Sequence, residues 1–187
     1  MTEPTRIANP QQLIAFWFAE PAQALWFNAT PEFDRSLRER FLPTYRAAAA
    51  GQLAEWEQTP SGALALAVAL DQFPLNMFRG QPESFATEAA ARAVVDRAMA
   101  CGFDQLLTPT ERLFLYLPFM HSENLADQDR SVQLFEQLNL DDSARFARHH
   151  RDLIVRFGRF PHRNAILGRD STPEEAAYLN SPDAFHG

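Results

Sequence analysis

Apolar residues recur along this chain at three- and four-residue spacing and hardly ever alternate, so the pattern predicts helices and no convincing strand. Phe33, Leu37, Phe41 and Tyr45 fall four apart and mark the inner stripe of one helix. Thr30 and Pro31 set its start, Thr as N-cap and Pro in the first helical position. Gly51 ends it, Trp56 tucks back beyond it, and Pro43 predicts a kink or break near Leu42. Asn9-Pro10 opens an earlier helix in the same way, with Leu13, Ile14, Trp17 and Phe18 apolar, running to about Glu20 before Pro21 stops it. Trp26-Phe27 is an apolar anchor in the linker. Residues 61–73, SGALALAVALDQF, are apolar on nearly every side, as expected of a helix buried on most faces and terminated by Pro74. Asp71 and Gln72 then fall in its last turn, where the helix dipole disfavours a carboxylate, so Asp71 needs a strong donor.

Thr87 is placed to cap an Ala-rich helix that Gly102 ends. Thr108-Pro109-Thr110-Glu111 has the spacing of a capping box and opens ERLFLYLPFM, which Pro118 kinks or ends. A helix over about 124–138 would turn Leu125, Gln128, Val132, Phe135 and Leu138 inward. The next, over 142–157, would bury Phe146, His150, Leu153, Ile154 and Phe157 and keep most of its arginines outward, with Gly158 as its stop. Thr172-Pro173-Glu174-Glu175 is a second capping box. The sum is an all-α fold of about seven to eight helices in a single domain over 1–187, with residues 1–8 and 181–187 expected to be loose ends. A helix followed by FPLNMFRG (73–80) resembles a helix followed by FPHRNAILGR (160–169), which suits stacked helical hairpins.

Composition adds three constraints. The only cysteine, Cys101, rules out an internal disulfide, favours a reducing compartment, and reads as a buried small hydrophobe. No basic–apolar leader opens the chain, and the longest apolar run, ALALAVAL at 63–70, is far short of the ~20 residues that span a bilayer, so the cytoplasm is expected and the membrane is not. All 17 basic residues are arginine, and seven of them (145, 148, 151, 156, 159, 163 and 169) stand against the single acid Asp152 in residues 145–169. That local +6, in a chain of net charge −7, leaves −13 for the rest. With a pI of about 5.2 the chain does not suit nucleic acid, whereas a small anion or the protein's own carboxylates suit the cationic segment.

Two blocks carry the candidate chemistry. His121, Ser122, Glu123, Asp127 and Gln128 begin where an apolar helix breaks, and a His beside two carboxylates can run acid–base chemistry or meet a divalent ion. Glu123 and Asp127 share a face only if the helix starts early enough, and the spacing matches no standard metal motif. Arg159, His162, Arg163 and Asn164 form the other block: arginine forks bind carboxylates and phosphates, and a His between two arginines is held neutral and able to accept a proton. The alternative for both blocks is an internal clasp, with the arginines stapled to Asp71, Glu123 or Asp127. His150 on an apolar face is the pattern of a core histidine. Glycine patterns for phosphate loops and a nucleophile elbow around Ser122 are absent, so no cofactor is indicated.

Read together, FWF (16–18), LDQFPLNMFRG (70–80), LYLPFMHSENLADQ (115–128) and HRDLIVRFGRFPHRNAILGRDSTPEEAAYL (150–179) resemble the bacterial domain-of-unknown-function family 924 across almost the whole chain. The resemblance implies an all-helical fold similar to tetratricopeptide (TPR) repeats and carries no established activity. One departure is Leu75, where the family often has a base. On these grounds the HSE (121–123) and RFPHRN (159–164) blocks are expected to form a polar pocket for a small anionic molecule. His121, Glu123, Asp127 and His162 are the candidates for proton chemistry; Arg159, Arg163, Asn164, Gln128 and Asp71 are those for binding. A non-enzymatic TPR-like protein-binding scaffold is the rival expectation, and a homodimer is compatible with the apolar surplus.

Overall fold

A computed structural model describes residues 6–185 of the protein. Among these residues it contains nine α-helices, four short 3-10 turns and no strand. The helices are α1 (Pro10–Trp17), α2 (Glu20–Gln23), α3 (Pro31–Ala49), α4 (Pro60–Met77), α5 (Glu88–Ala100), α6 (Pro109–Met120), α7 (Leu125–Gln137), α8 (Asp141–Phe157) and α9 (Pro173–Leu179). None of them is long and apolar enough to cross a membrane. They gather into two compact units, the first comprising the described residues up to Arg79 together with Glu83–Pro118, the second Gly80–Pro82 and the described residues from Phe119 onward.

In the first unit α1, α3 and α5 pack on α4, whose residues from Gly62 to Pro74 are all buried. Trp17, Phe41, Phe73 and Phe114 build the centre, with ring centroids 5.7 Å apart for Trp17–Phe73, 5.1 Å for Phe41–Phe73 and 5.6 Å for Trp17–Phe114. Local caps work as their residue types dictate. Asn9 and Gln12 form a reciprocal capping box on α1, and the Thr30 and Thr59 side chains accept from backbone N–H groups of Phe33 and Gly62.

The interior prolines behave differently from expectation. α3 continues past Pro43 to Ala49 and α4 continues past Pro74 to Met77, so neither proline ends its helix. A proline leaves the carbonyl four residues earlier without its helical donor. In α4 that carbonyl is Leu70 O, and the Thr87 hydroxyl donates to it at 2.5 Å. Thr87 therefore stands at the N-cap of α5 without capping it through its side chain. Before Pro21 the break is real but earlier: α1 ends at Trp17, Pro21 sits in the first turn of α2, and the Trp17 carbonyl accepts the Trp26 indole N–H at 2.9 Å. Phe27 does not anchor anything deeply; it is 74% exposed. Cys101, at the end of α5, is exposed rather than buried.

In the second unit α7 packs on α8. Asn124 caps α7, and its inward positions are Gln128, Ser131, Leu134 and Phe135, while Leu125 faces solvent because it occupies the first turn. α8 buries Ala144, Ala147, His150, Leu153 and Ile154. Phe146 is one position off that stripe, some 100° round the helix, and lies outward with the Arg145 guanidinium over its ring. Gly158, at φ 71°, ends α8 in a conformation that suits glycine. Residues 1–5 and 186–187 of the expected loose ends lie outside the described residues. The rest of those ends is held: the Ala8 N–H donates to Thr44 Oγ1 at 2.9 Å, and the Phe185 N–H donates to the Tyr178 hydroxyl at 2.8 Å.

Candidate functional site

The two polar blocks meet inside the second unit, and their contact has a definite wiring. Glu123 precedes the N-cap of α7, so it is not helical and does not share a face with Asp127. Its Oε1 accepts the Phe160 backbone N–H at 2.8 Å, and both carboxylate oxygens receive the fork of Arg169, at 2.7 and 3.0 Å. Burial alone would raise the Glu123 pKa, but the Arg169 and Phe160 bonds, with Arg163 nearby, outweigh it and hold the group below its ordinary value. Arg169 also donates to Asn164 Oδ1 at 3.1 Å, and the buried Asn164 amide donates to Ser171 Oγ at 3.1 Å. Arg159 makes a separate fork onto the buried Glu175, at 2.6 and 2.8 Å, and reaches the Asp170 carbonyl at 2.8 Å. Glu175 is pulled down to about 2, first by Arg159, against the opposing effect of burial. The same carboxylate closes the capping box of α9 by accepting the Thr172 N–H at 2.7 Å.

Asp127 accepts the Ser122 hydroxyl at 2.6 Å. Gln128, fully buried, donates its amide to the carbonyls of Met120 and Ser122, both at 2.7 Å. It thereby serves carbonyls at and just past the end of α6 that have no helical donor. Asp71 belongs to the first unit, where it accepts the Gln72 amide at 2.6 Å; because α4 runs on to Met77, Asp71 is not in the last turn.

The histidines form a second layer of the same region. Arg163, buried, donates to the His121 carbonyl at 3.0 Å and lies over the Phe160 ring at 4.7 Å. The His162 ring is half-buried, its centroid 5.5 Å from Phe160, and its Nδ1 is buried with no hydrogen-bond partner. Burial and then Arg163 push His162 down to about 4, with His121 and Arg169 adding to the effect and Glu123 opposing it. His150 Nδ1 meets the Phe146 carbonyl at 2.9 Å, which sets the proton on that nitrogen. Burial drives His150 down to about 3. Phe185 lies against three imidazoles, with centroids 4.7 Å from His150, 5.1 Å from His162 and 6.0 Å from His149. Among the described residues no group of three or more His, Cys, Asp or Glu side chains is placed to hold a metal ion.

Sequence reasoning missed Arg169, Glu175 and Phe185. For Glu175 a signal existed, since a capping-box glutamate has a second oxygen to offer a neighbouring arginine. For Arg169 the signal lies in the segment that FPHRNAILGR resembles: in FPLNMFRG, Asn76 Oδ1 accepts from Arg79 at 3.1 Å while Arg79 forks onto Asp34 at 2.7 and 3.2 Å. FPHRNAILGR repeats that asparagine–arginine–carboxylate chain with Asn164, Arg169 and Glu123. The backbones differ, however: Pro74 lies within a helix and Pro161 opens a 3-10 turn.

Residues 13–183 match the model of a family described as bacterial protein of unknown function (DUF924). A comparison with curated proteins gives no match. Among solved structures, a protein of unknown function from Agrobacterium tumefaciens, ATU0120, is similar to this chain at 40% identity and a TM-score of 0.88. The likeness covers 91% of this chain and 96% of that one.

Proposed function

Since the chain belongs to DUF924, a family of bacterial proteins of unknown function, its role has to be argued from its own side chains, and we propose that it binds a small anionic molecule at His121, His162 and Arg163. The observation that carries this is His162: a half-buried imidazole with one unpartnered buried nitrogen, beside Arg163, in surroundings that repel a proton. An anion brought to that ring would offset the repulsion and favour its protonated form. Glu123 offsets part of that repulsion, but its oxygens are already engaged by Arg169 and the Phe160 N–H, and those of Glu175 by Arg159. Arg159, Arg169, Asn164 and Gln128 act in this reading as the frame that holds the corner. Any acid–base step falls first to His162, whose Nδ1 is buried without a partner, while Glu123 and Asp127 already serve other donors.

Thermal shift against organic acids, phosphates and divalent metals tests the proposal. A ligand at 100-fold its dissociation constant adds about 2.7 kcal/mol of stability. His162→Gln and His121→Ala are expected to abolish the anion shift while leaving the ligand-free melting profile cooperative. Binding is also expected to take up a proton near neutral pH, visible as a dependence of calorimetric heat on the ionisation enthalpy of the buffer.

A second reading has its own support. The paired forks Arg169–Glu123 and Arg159–Glu175 fit internal struts, as in a non-enzymatic binding scaffold. Packing of consecutive helices, α3 on α4, α4 on α5 and α7 on α8, is in keeping with a TPR-like stack of hairpins, and the single cysteine with a cytoplasmic setting. A flat response from every anion in the panel would favour the scaffold.

A further inference from the structure

We propose that the C-terminal segment, residues 182–185, is a proton-operated cover: it stays closed over His150 and His162 in neutral medium and is released by acid before the helices beneath it melt. This goes beyond the anion-binding reading and stands without it, although release would also uncover His162.

Four rings carry the inference. Neighbouring centroids lie 5.4 Å apart for His150–Phe160, 5.5 Å for Phe160–His162, 5.1 Å for His162–Phe185 and 4.7 Å for Phe185–His150, so imidazole and phenyl rings alternate around a closed circuit. Phe160 follows α8 and is fully buried, whereas Phe185 arrives on the chain beyond α9. Both imidazoles therefore share one cover from the core and one from the tail, and the departure of a single residue opens both. In neutral medium Phe185 is an ordinary part of this core, packed against Leu153, Ile154, Phe160 and Tyr178. The backbone that delivers it is lightly held. Pro182 and Asp183 are exposed, the Ala184 N–H donates to the Ser181 carbonyl at 3.2 Å and the Phe185 N–H to the Tyr178 hydroxyl at 2.8 Å. Opening a short non-helical end of this kind leaves the helical ladders intact.

The surroundings oppose a proton on either imidazole while the cover is closed. For His150 the causes are burial, then His121, His149 and His162, with the Phe146 carbonyl in favour. For His162 they are burial, then Arg163, His121 and Arg169, with Glu123 in favour. No other carboxylate is placed to compensate from the packed elements: α7 buries Gln128, Ser131, Leu134 and Phe135 beside α8, Glu175 of α9 is held by Arg159, and Asp183 is exposed. Closed, the two imidazoles titrate at about 3 and about 4, against 6.5 in water. Moving Phe185 away returns water to both rings and so removes the largest opposing cause. The released form then binds protons that the closed form refuses. Below pH 6.5, and until the closed values are reached, the ratio of released to closed chains grows by up to about ten-fold per pH unit for each histidine.

The test is NMR of the full-length chain between pH 7.5 and 4.5, in buffers free of phosphate and carboxylate so that no anion site is engaged. Through-space contacts from the Phe185 ring to His150 and His162 are expected to fade, and the amides of residues 183–185 to gain fast motion, at a pH where the amide signals of α7 and α8 are unchanged. This readout needs no variant. Phe185→Ala, which removes the cover outright, is expected to raise the titration midpoints of both imidazoles by about one pH unit or more above those of the unaltered chain. Phe185 contacts that persist until the helical signals are lost would overturn the proposal, because the tail would then melt only with its unit. Imidazole midpoints left in place by a folded Phe185→Ala would overturn it as well, because something other than Phe185 would be excluding the proton. Either failure leaves the anion-binding reading to its own thermal-shift test.

Discussion

Thr87 shows how far a single side chain can be from its apparent job. Its hydroxyl serves Leu70 O, a buried carbonyl stripped of its helical donor by Pro74. Thr87→Val is therefore expected to cost about 1–3 kcal/mol, the usual penalty for an orphaned buried acceptor, with Thr87→Ser close to the unaltered protein. Urea denaturation with an unchanged m-value would establish this. Gly62 makes the complementary point about space. A Cβ there would meet the Trp56 carbonyl oxygen at 2.0 Å, a backbone atom that cannot rotate away. Gly62→Ala should thus destabilise, by about 1–3 kcal/mol, although alanine is the better helix former by about 1 kcal/mol. A stabilised Gly62→Ala variant in the same denaturation assay would refute the close approach.

Between elements, the Glu123–Arg169 fork ties the turn before α7 to the turn after α8. Removing Glu123 alone leaves Arg169 and the Phe160 N–H without their acceptor, so Glu123→Leu is expected to lose about 1–3 kcal/mol. Adding Arg169→Leu should lose less than the two separate costs combined, and a double-mutant cycle measures that difference. The elements themselves were largely legible in the chain. Asn9, Thr30, Thr108 and Thr172 cap through bonds to residues three positions away, so four letters carry the whole interaction. At Pro43 and Pro74 the local penalty predicts a break that the helices do not show; at Pro74 the missing donor is supplied by a residue 17 positions on. The site was half legible for the same reason. Charge complementarity pointed to a meeting of HSE with FPHRN, but not to which arginine takes which carboxylate, because several pairings satisfy the same charges. The structure gives Glu123 to Arg169 and Arg159 to Glu175.

At the scale of the whole molecule, charge and acidity govern behaviour. Arg145, Arg148, Arg151, Arg156, Arg159 and Arg169 lie against carboxylates of the second unit, in order Asp142, Glu136, Asp129, Glu174, Glu175 and Glu123, and Arg163 stands near Glu123. The cationic segment is therefore largely neutralised from within. His150 and His162 set the acid limit. Well above pH 6.5, from about pH 7.5, they are neutral folded or unfolded and contribute almost no pH dependence. As pH falls below 6.5 the unfolded chain protonates them while the folded chain, with values of about 3 and about 4, does not. Stability should then fall by about 1.4 kcal/mol per pH unit for each, until the pH approaches the folded values. Glu123 and Glu175, held low when folded, add a further loss below about pH 4.5, where the unfolded carboxylates protonate first. Denaturation midpoints between pH 7.5 and 4.5 test this, and His162→Gln should flatten the slope. The choice of probe matters, because Trp17, Trp26 and Trp56 all belong to the first unit, while both titrating histidines belong to the second. Indole emission is consequently a reporter for one half of the molecule only. An acid transition in the other half has to be followed by backbone dichroism, by Tyr178 or by the imidazoles themselves, and a fluorescence curve that stays flat is no sign that nothing has melted.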